Sequence, residues 1–138
     1  MADSQRTIER TGLPADIFNT EWQLIQSSYA GTETPGENLQ ADVIPMLIFG
    51  LEENRFFGTD GCNRFSGAYL PDENNGLSFE GIVSTRMVCS GQTNKIGLLN
   101  RLREVFQYRF NEDFTRLFLL DTHGSVLLSF EKTELKRI

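Results

Sequence analysis

Short apolar runs separated by turn-forming residues fill the first half of the chain. Residues 21–28 begin with alternating apolar and polar side chains, which predicts a half-buried strand. Residues 45–51 and 55–58 are apolar runs that flank the turn 52–54, a pattern that predicts a hairpin. Residues 29–43, rich in Gly, Pro, Thr and acidic side chains without periodicity, predict a long loop.

The next segment continues the alternation of strands and turns. Residues 63–70 predict an extended strand and residues 71–76 (PDENNG) a turn, with two more short strands at 77–81 and 82–88. The glycines before and within residues 63–70 are explained by the backbone conformations that glycine allows. Gly61 can supply a positive φ in a turn, and Gly67 fits a bend or bulge in a curved strand.

A single helical pattern follows, over residues 93–106 (TNKIGLLNRLREVF). Apolar residues recur there at spacings of three and four, at Ile96, Leu99, Leu102 and then Val105 or Phe106. The pattern predicts an amphipathic helix, although Gly97 weakens it by about 1 kcal/mol relative to Ala. The chain then returns to apolar runs, which predict three closing strands at 108–111, 115–121 and 125–131.

About nine short strands and one helix predict an α+β fold dominated by strands. We expect a mostly antiparallel curved sheet or a partly closed barrel, with the helix at about 93–106 covering one face or closing one end. A length of 138 residues is the usual size of one domain, and the sequence contains no internal repeat.

The charge of the chain argues against two classes of partner. A net charge of −6 repels nucleic acid and anionic membrane surfaces. No apolar run is long enough for a leader peptide or a membrane span. We therefore expect no nucleic-acid partner, no transmembrane segment and a monomer that is cytoplasmic as written, or located in the periplasm or envelope if a leader was removed.

Residues able to carry chemistry are few. The single histidine, His123, lies in the sequence DTHGS between two apolar runs, which is typical of a turn. Two cysteines without a paired motif cannot supply a zinc site. Gly58, Gly61 and Gly67 do not form a phosphate-binding loop, because the residues after Gly61 predict a strand where such a loop requires a helix. The sequence therefore predicts no catalytic residue, no cofactor and no metal.

The two cysteines, Cys62 and Cys89, are 27 residues apart. If residues 82–88 and those just beyond form a strand, Thr85, Met87 and Cys89 share one face, and Met and Cys there suggest a buried face. The sulfurs of Cys62 and Cys89 could then form a buried pair of thiols or a disulfide. In either state their role would be structural.

Two segments together resemble the signatures of the META domain family, which includes heat-shock proteins of the HslJ-like type. They are GTDGCNRFSGAY, residues 58–69, and STRMVC, residues 84–89. The resemblance covers residues 20–131, which leaves 1–19 as an N-terminal extension and 132–138 as a C-terminal tail. It implies a compact α+β domain without established catalytic activity, and links to stress responses and the cell envelope. The motif residues that carry it are Gly61, Cys62, Asn63, Gly67, Thr85, Met87 and Cys89.

Three functions remain open from the sequence. The first is a non-enzymatic binding or interaction module, with exposed rings such as Phe56, Phe57 and Phe114 as a contact surface for an unknown protein or small apolar ligand. The second is a small curved β-domain that encloses an apolar ligand. The third and weakest is an enzyme with Cys62 or Cys89 as its nucleophile, because few neighbours would lower a thiol pKa.

Overall fold

The computed structural model describes residues 13–29, 32–35, 44–87 and 97–133 of the chain. These residues form nine strands, one short α-helix and a 3₁₀ turn at Ala15–Ile17. The strands are β1 (Glu21–Tyr29), β2 (Thr32–Pro35), β3 (Met46–Phe49), β4 (Arg55–Thr59), β5 (Arg64–Asp72), β6 (Gly76–Ser84), β7 (Gln107–Phe110), β8 (Arg116–Leu120) and β9 (Val126–Thr133). The helix α1 is Leu98–Arg103.

The strands form a single sheet that closes on itself. Their order is β2-β1-β3-β4-β5-β6-β7-β8-β9, and β9 also pairs with β1, so eight strands form a ring and β2 pairs with β1 outside it. Every pairing between these strands is antiparallel. The prediction of a mostly antiparallel curved sheet with one helix is therefore confirmed.

Aromatic and aliphatic side chains fill the interior of the ring. Side chains of β5 alternate between the interior and the surface, which is the burial pattern of a strand with one buried face. The rings of Phe56 and Phe79 meet edge to face with their centroids 4.9 Å apart. The largest side chains with almost no exposed surface include Trp22, Tyr69, Phe49, Phe56 and Phe130.

The chain before β1 contributes to the same core. Leu13 and Ile17 are fully buried. The indole Nε1 of Trp22 donates a hydrogen bond to the carbonyl oxygen of Ile17 over 3.1 Å, and Phe18 forms a parallel bridge with Phe49. The segment ahead of the first strand is thus packed against the largest buried side chain.

The helix lies next to the two neighbouring strands of the ring that share the fewest residue pairs. Strands β6 and β7 share one residue pair, Gly76 with Gln107, and α1 contacts β6, β1 and β9. Leu98 and Leu102 are the buried residues of the helix. No helix among the described residues is both long enough and apolar enough to cross a membrane.

The predicted helix at 93–106 extends past the observed end at Arg103, whereas its predicted buried face is confirmed at Leu102 and Val105. Within the described residues the helix begins after Gly97, whose φ of 68° is left-handed and incompatible with the interior of a right-handed helix. At the other end, the backbone of Phe106 already donates to Leu120 of β8. Leu99 is partly buried and packs against the core, and Leu98 is also buried, which was not predicted. Residues 93–96, including Ile96, lie outside the described residues.

Two strand predictions also need correction. Residues 32–35 form a strand inside the predicted loop, because they pair with the end of β1 and so obtain hydrogen-bond partners. The two strands predicted at 77–81 and 82–88 are one strand, β6, which starts at Gly76 and ends at Ser84. Its register shifts against β5 near Gly81, whose φ of 62° marks a bulge at the boundary between the two predicted strands.

Tyr69 offers a test of the core. Its buried hydroxyl donates to the carbonyl oxygen of Gly50 over 2.7 Å, and burial raises the pKa of Tyr69 to about 12. Tyrosine in an unfolded chain has a pKa of about 10, so the stabilisation is fully present below pH 10 and is lost as the pH rises towards 12. We expect Tyr69→Phe to lower the free energy of unfolding by about 1 kcal/mol at neutral pH.

Urea titrations at neutral and alkaline pH check this prediction. The variant should lose less stability than the wild type as the pH passes 10, and the fall that remains is expected from Tyr108, whose pKa burial also raises. An alkaline fall of equal size in both proteins would show that the Tyr69 hydroxyl is not the group that titrates.

Candidate functional site

The turn between β4 and β5 is built by its own side chains. The carboxylate of Asp60 accepts the backbone N–H groups of Cys62 over 2.9 Å and Asn63 over 2.7 Å. The hydroxyl of Thr59 accepts the N–H of Gly61 and donates to the carbonyl oxygen of Asn63, both over 3.0 Å. Gly61 has a φ of 100°, which confirms its predicted place in a turn.

Asn63 connects this turn to the second motif segment. Its Oδ1 accepts the Thr85 hydroxyl over 2.9 Å and the backbone N–H of Met87 over 2.5 Å. Its Nδ2 donates to the carbonyl oxygen of Met87 over 3.5 Å. A side-chain amide carries both donors and an acceptor, so Asn63 can bind both polar groups of one peptide backbone.

Thr85 adds a second link between the two segments. Its hydroxyl oxygen accepts the backbone N–H of Arg64 over 3.1 Å. The backbone N–H of Thr85 donates to the carbonyl oxygen of Arg64 over 3.0 Å. Residues Asn63, Arg64, Thr85 and Met87 therefore form one hydrogen-bonded group, which we call the motif clamp. The family resemblance rested on the two segments together, but it did not imply that Asn63 joins them.

Cys62 carries no free thiol, because it is disulfide-bonded. Its Sγ lies 3.5 Å from the carbonyl oxygen of Met87. A disulfide sulfur has no proton to donate, so this is a packing contact beside the clamp. The one other cysteine of the sequence, Cys89, lies outside the described residues.

The prediction of a buried face containing Thr85 and Met87 was wrong. Both residues lie beyond the end of β6, and the side chain of Met87 is 60% exposed. The cause is local, because Asn63 and Arg64 bind the polar groups of residues 85–87 outside regular strand pairing. Period-2 spacing predicts a shared face only where a strand continues.

Gly67 lies in β5 opposite Phe56. The register of β5 against β6 shifts between Ser66 and Ala68, and the extra residue of this bulge lies in β6, so Gly67 lies opposite the bulge and does not form it. A Cβ atom at Gly67 would lie 2.8 Å from the Phe56 ring and 2.9 Å from the carbonyl oxygen of Glu80. The absence of a side chain is therefore required by close packing.

An open groove of about 480 Å³ lies beside the motif clamp. Its sides are Phe57 of β4 and Val83 of β6, which are 47% and 64% exposed. Both residues pair with Ser66 of β5, so the three form one row across the sheet. A small serine between two larger apolar side chains leaves the space that the groove occupies.

The rings predicted to form a contact surface fall into two classes. Phe57 and Phe114 are exposed, as predicted, but Phe56 is fully buried between Phe65 and Phe79. Adjacent residues of a strand face opposite sides, so one of Phe56 and Phe57 had to be buried. The pairing register of the hairpin places Phe56 on the buried face. Two adjacent Phe residues in a sequence do not reveal this register.

Among the described residues considered for catalysis, Cys62 is disulfide-bonded and His123 lies in a turn. The Oδ1 of Asp121 accepts the backbone N–H groups of His123 and Ser125 over 2.9 Å each, which confirms the predicted turn. The hydrogen bonds from Ser125 and His123 lower the pKa of the Asp121 carboxyl below its usual value. The described part of the chain contains no group of three or more His, Cys, Asp or Glu side chains placed to hold a metal ion.

Removal of the Asn63 amide should loosen the clamp. We expect Asn63→Ala to lower the free energy of unfolding by about 1–2 kcal/mol, because Met87 and Thr85 lose their partner in a partly exposed site. Thermal and urea unfolding measure the change. Asn100→Ala is the control, since Asn100 is exposed on α1 and makes one 3.5 Å contact with Arg103. Equal effects of the two substitutions would contradict the role of the clamp.

Comparison with known families and structures places these observations in context. The model of the META domain family matches residues 15–134. This match confirms the resemblance drawn from the two motif segments. No curated protein matches the chain.

Several solved structures share the fold. An NMR structure of a protein from Burkholderia xenovorans has a TM-score of 0.66 and 24% identity, and the match covers 86% of this chain and 85% of that one. A second protein solved by NMR has a TM-score of 0.59 and 23% identity, with coverage of 86% and 93%. A DUF4847 family protein from Bacteroides vulgatus, solved by crystallography, has a TM-score of 0.56 and 14% identity, with coverage of 87% and 96%. At these identities the likeness concerns the fold alone.

Proposed function

The chain belongs to the META domain family, and we propose that it is a non-enzymatic binding domain whose ligand site is the groove between Phe57 and Val83. The observation that carries the proposal is the exposure of these two side chains on one row of the sheet. Large apolar side chains held apart across a concave surface favour an apolar group between them, because its burial removes water from all three.

The state of the motif residues supports a non-enzymatic role. A cysteine nucleophile needs a free thiolate, and Cys62 is disulfide-bonded. The amide of Asn63 and the hydroxyl of Thr85 are occupied by each other and by backbone groups. The motif therefore supports the shape of the groove, and the groove presents the binding surface.

A ligand enclosed within the ring is less well supported. Trp22, Tyr69, Phe49 and Phe56 occupy the interior with almost no exposed surface. The grooves lined entirely by described residues include surface turns or exposed strand residues. A role in stress response or at the cell envelope stays a prediction from the family resemblance, and growth of a deletion strain after heat or detergent stress tests it.

Binding of Nile red, a neutral apolar dye, tests the proposed site. We expect Phe57→Ser to weaken dye binding about tenfold, because the side chain contributes apolar contact on one side of the groove. Phe106→Ser is the matched control, since Phe106 is 55% exposed and lines a different groove. Its affinity for the dye should stay within about twofold of the wild type, as is usual for surface changes away from a site.

Two results would contradict the proposed function. One is an equal loss of affinity in Phe57→Ser and Phe106→Ser, which would show that the dye adsorbs to any exposed ring. The other is the absence of dye binding in the wild type. Circular dichroism of each variant confirms that the sheet is intact before affinities are compared.

A further inference from the structure

Among the described residues that line the groove, Arg64 is the one that carries a charge. It lies on β5 two positions before Ser66, on the same face as the row formed by Phe57 and Val83. Two residues along a strand span about 7 Å. The backbone of Arg64 therefore lies close to the apolar row, and its side chain lines the same groove.

The Arg64 side chain is exposed. Among the described residues, its guanidinium makes neither an ion pair nor a hydrogen bond. The described residues of the lining include no carboxylate, although the whole chain carries a net charge of −6. An acidic protein thus presents a cation and apolar side chains together at this groove.

The size of the groove favours a small molecule over a protein partner. A volume of about 480 Å³ lies within the range of about 300–1,000 Å³ typical of small-molecule sites. Eight residues line it, whereas a stable protein interface uses roughly 20–30 residues on each side.

We propose that the groove binds a small amphipathic carboxylate, with its apolar tail between Phe57 and Val83 and its carboxylate on Arg64. The inference rests on the proposed function and specifies its ligand class. A planar guanidinium can donate two parallel hydrogen bonds to a carboxylate, which orients the ligand as well as attracting it. A net negative protein repels anions in general, so the local cation also distinguishes this site from the remaining surface.

Three probes with the same tail test the ligand class: octanoate, octan-1-ol and octylammonium. In NMR titrations of uniformly ¹⁵N-labelled protein at low salt, we expect octanoate to bind about fivefold more tightly than octanol, the upper range for an exposed ion pair. Octylammonium should bind most weakly. High salt should reduce the preference for octanoate, because exposed charges are screened.

Two arginine variants give the test a matched control. Arg64→Gln should bring the affinity for octanoate to that for octanol and leave octanol binding unchanged. Arg55→Gln should keep the wild-type preference, since Arg55 is an exposed arginine on β4 that does not line this groove. Shift changes should include the backbone amides of Phe57, Ser66 and Val83.

The outcomes separate the two proposals. Equal binding of octanoate and octanol, with shifts at the groove, would overturn the carboxylate inference and leave the binding domain supported. No shifts at the groove with any probe would contradict both proposals. Co-sedimentation with phosphatidylglycerol vesicles that is lost in Arg64→Gln would assign the groove to a membrane surface and also overturn the inference.

Discussion

Gly67→Ala should lower the free energy of unfolding by about 2–3 kcal/mol, a large effect for one methyl group. The added Cβ would lie 2.8 Å from the Phe56 ring and 2.9 Å from the carbonyl oxygen of Glu80. The ring cannot move away freely, because it packs against Phe65 and Phe79. The carbonyl belongs to the neighbouring strand, so relief would require the sheet to spread at the bulge. Urea unfolding followed by circular dichroism measures the change.

Gly81→Asn is the control for the glycine prediction. Gly81 lies near the same bulge and is exposed, and a Cβ there would meet no atom within 4 Å. Asparagine tolerates a positive φ better than most residues, so the expected loss is below about 1 kcal/mol. A Gly67→Ala variant as stable as the control would show that the close approach of Phe56 is not a constraint.

Cys62→Ser should lower the free energy of unfolding by about 3–4 kcal/mol under oxidising conditions, by loss of a cross-link in the unfolded chain. We infer that Cys89 is the partner of Cys62, since the sequence holds no third cysteine. Their separation of 27 residues sets the loop length on which this magnitude depends. Urea titrations of the wild type and the variant measure it.

Reduction provides the control for the disulfide prediction. A reducing agent should lower the stability of the wild type by a similar amount and have little effect on Cys62→Ser. Cys89→Ser should match Cys62→Ser, because loss of either partner opens the same loop. Two free thiols in oxidised wild-type protein, detected by alkylation and mass spectrometry, would contradict the cross-link.

Local patterns were sufficient for most of the strands. Residues 45–51 and 55–58 form the predicted hairpin because a turn separates two apolar runs, which is information contained within a few residues. The strand at 32–35 was missed because its stability comes from pairing with β1. The helix was drawn too long because apolar spacing continues through Gly97, whose left-handed backbone sets the start of the helix among the described residues.

The candidate site depended more strongly on tertiary structure. The two motif segments could be recognised, but the hydrogen bonds of Asn63 to Thr85 and Met87 join residues more than 20 positions apart. The groove depends on the register that aligns Phe57, Ser66 and Val83. Alternation within one strand identifies a face but does not show which residues of the neighbouring strands lie beside it.

The proposed ligand site lies outside the ring of strands, in the groove beside the motif clamp. Intermolecular NOEs between bound octanoate and ¹³C-labelled methyl groups locate the ligand. We expect NOEs from the ligand tail to the methyl groups of Val83, which is 64% exposed, and none to Leu119 or Leu128, which are fully buried. NOEs to Leu119 and Leu128 without any to Val83 would contradict the proposed site and place the ligand inside the ring.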